Sequence, residues 1–131
     1  MATETSAILS ELVRKAETIV ADCFGEGGRG SAGSTGRTQL SNAIDAINQA
    51  QGSIEVFINW VRYQMAREEF WRTRGKSKSL GELVCEYAEE LKKRDPERAA
   101  QYLTYFLGFM RRALVAVSYL DKIPPQLKEV G

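Results

Sequence analysis

The sequence contains no histidine and only two cysteines among its 131 residues. Without histidine the commonest general base is missing, and neither a Ser-His nor a Cys-His nucleophile pair can form. Cys23 and Cys85 lie far apart in the chain and belong to no CxxC motif, so zinc ligation is not indicated. The adjacent Glu68 and Glu69 would point in different directions on a helix, and the Glu-x-x-His pattern of a di-iron site is absent. These absences predict a protein that is not an enzyme and that carries no metal or other cofactor.

Long apolar runs are also missing. No segment approaches the roughly 20 apolar residues of a membrane-spanning helix, because charged residues interrupt every candidate. The first residues, MATETSAILSELVRK, place acidic residues before the apolar positions and lack the cationic start of a signal peptide. We therefore expect a chain that does not contact a membrane and that is located in the cytoplasm, where its thiols stay reduced.

An excess of one charge is missing as well, since the net charge is only +1. The charges are nevertheless sorted along the chain. Residues 53–78 hold six basic and three acidic residues, and residues 96–131 hold five and three. Residues 79–95, by contrast, hold three basic and five acidic residues. The basic segments coincide with the most aromatic ones, although a net charge of +1 by itself argues against a dedicated binder of polyanions.

Apolar residues recur at helical spacing through most of the chain, and no useful strand pattern appears. The spacing predicts five helices: from Thr5 or Ser6 to Phe24, Thr38 to Gln51, Ser53 to Lys78, Ser79 to Arg94, and a last one beginning at Asp95-Pro96. Residues 25–36, GEGGRGSAGSTG, hold six glycines and too little apolar surface to offset ordering, so a flexible loop is expected there. The predicted fold is all-α: residues 1–131 form a single compact bundle of about five helices, with a long central helix and a mostly apolar C-terminal helix.

The predicted central helix carries two different surfaces. At about 100° of rotation per residue, one apolar arc collects the positions expected to face the core: Ile54, Phe57, Ile58, Val61 and Met65. A second arc alternates aromatic rings with guanidinium groups and comprises Trp60, Tyr63, Arg67, Phe70, Trp71 and Arg74. The basic character continues through Arg72, Lys76 and Lys78. Because one apolar stripe suffices to seat a helix on a core, the second arc indicates contact with nucleic acid or with a neighbouring subunit.

Two interpretations of the second arc stay open. Arginine binds phosphate oxygens bidentately and stacks on rings and bases, so the arc could follow a nucleic-acid backbone without reading its sequence. Alternatively, Trp60, Phe70 and Trp71 pack a second core layer while the arginines pair with Glu68 and Glu69. Arg111 and Arg112 interrupt the most apolar helix, which indicates either a solvated exit or a phosphate contact.

Two stretches together resemble the small subunit of type III CRISPR–Cas effector complexes, in the Csm-type branch. The first is TQLSNAIDAINQAQGSIEVFINWVRYQMAREEFW, from residue 38, and the second is YLTYFLGFMRRALVAVSYL, from residue 102. The shared pattern is a Thr/Ser-Gln-Leu helix start, a helix ending in a residue such as Arg67, and a closing aromatic, leucine-rich helix with basic residues. The resemblance covers residues 38–120 and leaves the first helix and the glycine-rich segment unexplained.

This resemblance implies a non-catalytic helical bundle that acts in antiviral defence. It implies that copies of the protein stack along the crRNA–target RNA duplex and touch the large polymerase-like subunit and the repeated backbone subunits. Guide pairing would supply sequence specificity, while this subunit supplies shape and charge. Arg67 is the best match to a basic position of the family, followed by Arg62, Arg74, Arg111 and Arg112. The full predicted RNA-binding set also includes Arg72, Lys76, Lys78, Tyr63 and Trp71.

A second function stays open at this point: a stand-alone helical regulator or adaptor that uses the same surface for a protein partner. Salt dependence separates the two functions. RNA contact weakens steeply with ionic strength, whereas an apolar protein interface does not.

Overall fold

Five α-helices account for most of the chain. The computed structural model describes residues 2–25 and 33–119. Within these two ranges no strand is formed, and Arg74 and Ser79 make an isolated β-bridge. The helices are α1 (Ala2–Phe24), α2 (Gly33–Gln49), α3 (Ile54–Arg67), α4 (Leu80–Arg94) and α5 (Ala99–Tyr119), with a 3₁₀ turn at Glu69–Arg72. The predicted all-α bundle of five helices is confirmed.

Helix α5 lies at the centre of the bundle. It packs against α1, α2 and α4, while α3 packs mainly against α4 and the 3₁₀ turn. Its core side chains have no exposed surface: Leu103, Phe106, Leu107 and Met110. Helix α1 contributes Leu12, Ala16 and Val20 to the same core, and these side chains are also fully buried. Because α5 is covered on several sides, its mostly apolar sequence follows from its position.

Helix α2 begins earlier than its apolar pattern indicated. It starts at Gly33, five residues before the predicted start at Thr38. The predicted flexible loop, residues 25–36, therefore overlaps the first turn of α2, and residues 26–32 of that loop lie outside the described residues. The helix ends in a tight turn in which Gln51 and Gly52 adopt positive φ angles of 54° and 90°. Ser53 then caps α3, because its hydroxyl accepts a hydrogen bond from the Val56 N–H at 3.1 Å.

The prediction of one helix from Ser53 to Lys78 is wrong beyond Arg67. Glu68 adopts an extended conformation, with φ −119° and ψ 126°, and the 3₁₀ turn follows. The break turns Phe70 and Trp71 inward, where 8% and 0% of their surfaces stay exposed. The Arg72 guanidinium donates to the Met65 carbonyl at 2.6 Å and so satisfies one of the last carbonyls of α3. Burial of two large aromatic side chains outweighs the few helical hydrogen bonds that a continuous helix would add.

Residues 73–79 form a tight hairpin between the 3₁₀ turn and α4. Its backbone bonds join the Gly75 N–H to the Lys78 carbonyl at 2.8 Å, and the Leu80 N–H to the Thr73 carbonyl at 2.7 Å. The Lys76 N–H donates to the Asp22 carboxylate at 3.0 Å, which ties the hairpin to the end of α1. A Cβ on Gly75 would come within 2.0 Å of the same carboxylate. The hairpin therefore has a fixed position against two helices.

Ser79 and Glu82 form a capping box at the start of α4. The Ser79 hydroxyl accepts from the Glu82 N–H at 3.3 Å, and the Glu82 carboxylate accepts from the Ser79 N–H at 2.8 Å. We expect Ser79→Ala to lower the free energy of unfolding by about 1 kcal/mol, because it leaves a backbone donor of the first turn without its partner. Chemical denaturation of both proteins measures this difference. Ser77→Ala, in the exposed tip of the same hairpin, is the control, and an equal loss in that variant would contradict the capping role.

The start of α5 is close to its predicted position. The Asp95 N–H still donates to the Leu91 carbonyl, so this residue ends α4. Its carboxylate accepts from the Arg98 N–H at 3.2 Å, as an N-cap would. Regular helix begins at Ala99, three residues after Pro96, because residues 96–98 form a turn first. Asp95 therefore serves as the last residue of one helix and as the cap of the next turn.

Candidate nucleic-acid interface

The exposed face of α3 presents Tyr63 and Arg67 together. Tyr63 is 55% exposed, and Arg67 follows it by one helical turn. The Arg67 guanidinium donates to the Tyr63 hydroxyl at 3.1 Å, and its central carbon lies 5.3 Å from the centre of the Tyr63 ring. No ion pair of the described residues involves Arg67. Arg67 is thus a cation that is held in place by an aromatic ring and that pairs with no carboxylate of the described residues.

The basic residues after Arg67 lie in the hairpin and mostly interact with the protein itself. Arg74 donates to the Ser77 carbonyl at 3.0 Å and lies 4.0 Å from the Glu82 carboxylate. Lys78 forms an ion pair with Glu86. Lys76 keeps an exposed side chain. Since Arg72 is bound to a carbonyl of α3, the predicted basic continuation of one helix face does not exist.

The interpretation of Trp71 as an RNA-stacking residue is corrected by its burial. No part of its surface is exposed, and its indole N–H donates to the Gln39 side-chain carbonyl at 3.0 Å. Its ring meets Trp60 and Phe70 edge to face, with centres 5.9 Å and 5.3 Å apart. This cluster is the second core layer that was the alternative interpretation. The arginines, however, do not pair with Glu68 or Glu69 in the described ion pairs.

Arg62 lies at an acidic groove between α3 and α4. The groove has a volume of about 740 Å³, and its lining contains four glutamates and two cations: Glu82, Glu86, Glu89, Glu90, Arg62 and Lys93. Such a surface repels phosphate groups. The structure therefore separates Arg62 from Arg67, although the two lie on the same short helix.

Helix α5 carries a second aromatic and cationic surface. Tyr105 is 44% exposed, and its ring lies nearly parallel to that of Phe109, with centres 6.5 Å apart. The Arg112 guanidinium lies 5.9 Å from the centre of the Phe109 ring. Arg111 and Arg112 are both exposed, and α5 contains no acidic residue. Sequence reasoning missed Tyr105 and Phe109, although the four- and seven-residue intervals from Tyr105 to Phe109 and Arg112 place them near one face of a helix.

The thiol groups of Cys23 and Cys85 have low reactivity because their pKa values are raised. Burial, with a smaller contribution from Asp22, raises the pKa of Cys23 to about 12. Burial likewise raises the pKa of Cys85 to about 11. Both groups are therefore protonated at neutral pH and are poor nucleophiles and metal ligands. In residues 2–25 and 33–119, no three His, Cys, Asp or Glu side chains are grouped to hold a metal ion, and no helix there is long and apolar enough to cross a bilayer.

The arrangement of these residues gives two candidate RNA-binding surfaces, one at Tyr63 and Arg67 and one at Arg111 and Arg112. The resemblance to the small subunit of type III CRISPR–Cas complexes stays a prediction beside this geometry. Comparisons with protein-family models, with curated proteins and with solved structures found no match to the chain.

Proposed function

We propose that the protein is a non-catalytic small subunit of a type III CRISPR RNA-guided effector complex that acts in antiviral defence in the cytoplasm. It contacts the backbone of the crRNA–target RNA duplex through Arg67 on α3 and through Arg111 and Arg112 on α5. Its partners are the large polymerase-like subunit, the repeated backbone subunits and further copies of itself. The proposal rests on the resemblance of residues 38–120 to that family and on the surface described above.

One observation carries the RNA-binding part of the proposal. Among the residues that the structure describes, some cations form an ion pair with a carboxylate and others form none. Arg74 and Lys78 face Glu82 and Glu86, whereas no described ion pair involves Arg67, Arg111 or Arg112. A guanidinium group without an acidic partner can bind a phosphate without first breaking an ion pair.

The test is a double substitution, Arg67→Ala with Arg112→Ala, in the assembled effector complex. We expect target RNA to be retained less well, and the slope of log affinity against log salt to fall by roughly 0.9 for each lost contact to a phosphate of a duplex. Neither side chain contributes to the core, so assembly and helix content should be unchanged. Binding titrations over a range of salt concentrations measure both quantities.

The matched control is Arg74→Ala with Lys78→Ala, which removes the same charge from positions that face Glu82 and Glu86. We expect a smaller effect on the salt slope from this pair, because these cations are already partly neutralised. An unchanged affinity and salt slope in the Arg67 and Arg112 variant would show that the surfaces around these two residues do not contact RNA. Equal effects of the two double variants would show that only net charge matters.

The alternative function, a stand-alone regulator or adaptor, is favoured by a single feature. Val56 is 53% exposed on the same face of α3 as Tyr63 and Arg67. An exposed valine adds nothing to phosphate binding, but it adds apolar area to a protein interface. If this function is correct, association with the partner should persist at high salt and should weaken in Val56→Ser.

A further inference from the structure

A small groove lies between the end of α2 and the start of α5. Its volume is about 390 Å³, and none of its lining residues is charged. Gly52 forms part of its lining, and a Cβ placed on this residue would meet no heavy atom within 4 Å. With φ at 90°, the position strongly favours glycine, so the groove stays open at the turn between α2 and α3.

The side chains of the groove suit a flat, polar-edged ring. Tyr105 supplies a phenol that is 44% exposed and is aligned by its neighbour Phe109. Asn48 and Gln101 line the same groove and are exposed, so each offers an amide that can donate and accept hydrogen bonds. Thr104 instead donates its hydroxyl to the Ala100 carbonyl at 2.9 Å. Proteins bind an unstacked base by stacking it on an aromatic side chain and by hydrogen-bonding its edge to polar side chains, and this groove offers one ring and two amides for these contacts.

The uncharged lining of the groove favours a neutral ring over an acidic side chain as its occupant. The groove itself holds no cation that could bind a carboxylate side chain. Arg112 follows Tyr105 by seven residues on the same helix, which corresponds to about 10.5 Å along the axis. A strand with its base in the groove can therefore place a neighbouring phosphate near Arg112, and α5 has no acidic residue to repel it.

We infer that the groove between α2 and α5 binds an unpaired nucleobase of RNA. Tyr105 stacks on the base, Asn48 and Gln101 bond its edge, and Arg112 binds a phosphate of the same strand. This inference rests on the proposed function for its ligand and adds a base-binding pocket to a surface that otherwise contacts only the backbone.

The test compares two single-stranded RNAs of equal length, one with its bases and one abasic, for binding to the full-length protein at low salt. We expect the wild-type protein to bind the strand with bases about tenfold more tightly, which is typical of one base stacked on an aromatic side chain. Tyr105→Ala should remove this preference, and Tyr105→Phe should keep it. Arg112→Ala should keep the preference but lower the salt slope for both strands by roughly 0.7. Circular dichroism and thermal unfolding of each variant confirm that the fold is intact.

Several results would contradict the inference that this groove binds a base. Equal binding of the two strands excludes base recognition but leaves the proposed function intact, since phosphate contacts do not need a base. Failure to bind either strand also excludes the pocket, and the salt titration of the assembled complex then decides the proposed function separately. Displacement of RNA by polyglutamate at equal charge concentration would show an acidic protein segment as the occupant. A free nucleoside monophosphate that binds as tightly as the strand would exclude RNA as the source of the base.

Discussion

Trp71→Ala is expected to lower the free energy of unfolding by about 3–5 kcal/mol, the loss typical of a fully buried tryptophan. The substitution removes the indole ring, which Trp60 and Phe70 each contact edge to face. It also leaves the Gln39 side-chain carbonyl without its donor at a position that is only 9% exposed. Such a loss is a large share of the stability of a small domain, so the variant should be partly unfolded at 37 °C. Urea denaturation followed by circular dichroism measures the change.

The contribution of the indole N–H can be separated from that of the ring. Trp71→Phe removes the donor and keeps an aromatic ring, whereas Gln39→Leu removes the acceptor. If the bond between them matters, the double variant should lose less stability than the sum of the two single variants. Strict additivity would contradict a role for this bond. A native-like stability of Trp71→Ala would contradict the burial of the side chain altogether.

Val61→Asp is expected to abolish the fold. Val61 has no exposed surface and lies on the core side of α3. An unpaired carboxylate at this position costs several kcal/mol, either as a buried charge or through the proton that it must take up. Circular dichroism at neutral pH should show loss of helix, and acidification toward the pKa of the new carboxyl should restore part of it.

Val56→Asp is the matched control, because it places the same charge on the exposed face of the same helix. Val56 is 53% exposed, and a surface substitution of this kind changes stability by about 0.5 kcal/mol or less. If Val61→Asp and Val56→Asp were equally stable, the assignment of the two faces of α3 would be wrong. If both were unfolded, the effect would come from helix propensity rather than from burial.

The helical fold follows from local pattern, and the break after Arg67 does not. The capping residues Ser53 and Ser79, together with the apolar stripes, are short-range signals that a helix pattern contains. Nothing local marks Glu68 as extended, since the surrounding residues include good helix formers. The break is favoured by a contact across 32 residues, from Trp71 to Gln39. Tertiary burial of this kind cannot be derived from helix spacing alone.

The candidate site could be predicted only in part, because some of its residues are placed by local helix pattern and others by contacts between distant segments. Tyr63 and Arg67 are one turn apart within an unbroken helix, so their common exposed face follows from the sequence. The prediction that Trp71 shares that face is wrong, because α3 ends at Arg67 and Trp71 lies in the 3₁₀ turn that follows. The groove at Tyr105 is lined by residues of α5 and of the end of α2. These segments are distant in sequence, so their proximity can be seen only in the folded structure.

The position of α5 has a consequence for how the chain is made. This helix follows the other four along the sequence, yet it covers apolar faces of α1, α2 and α4. During synthesis, those apolar faces stay exposed to water or bound to a chaperone until residues 99–119 leave the ribosome. The core is thus closed by contacts of long sequence separation, which slows folding relative to a bundle whose neighbours in space are also neighbours in sequence. A ribosome that stalls before Ala99 would release a chain with at least three uncovered apolar faces, which makes it a natural target for degradation.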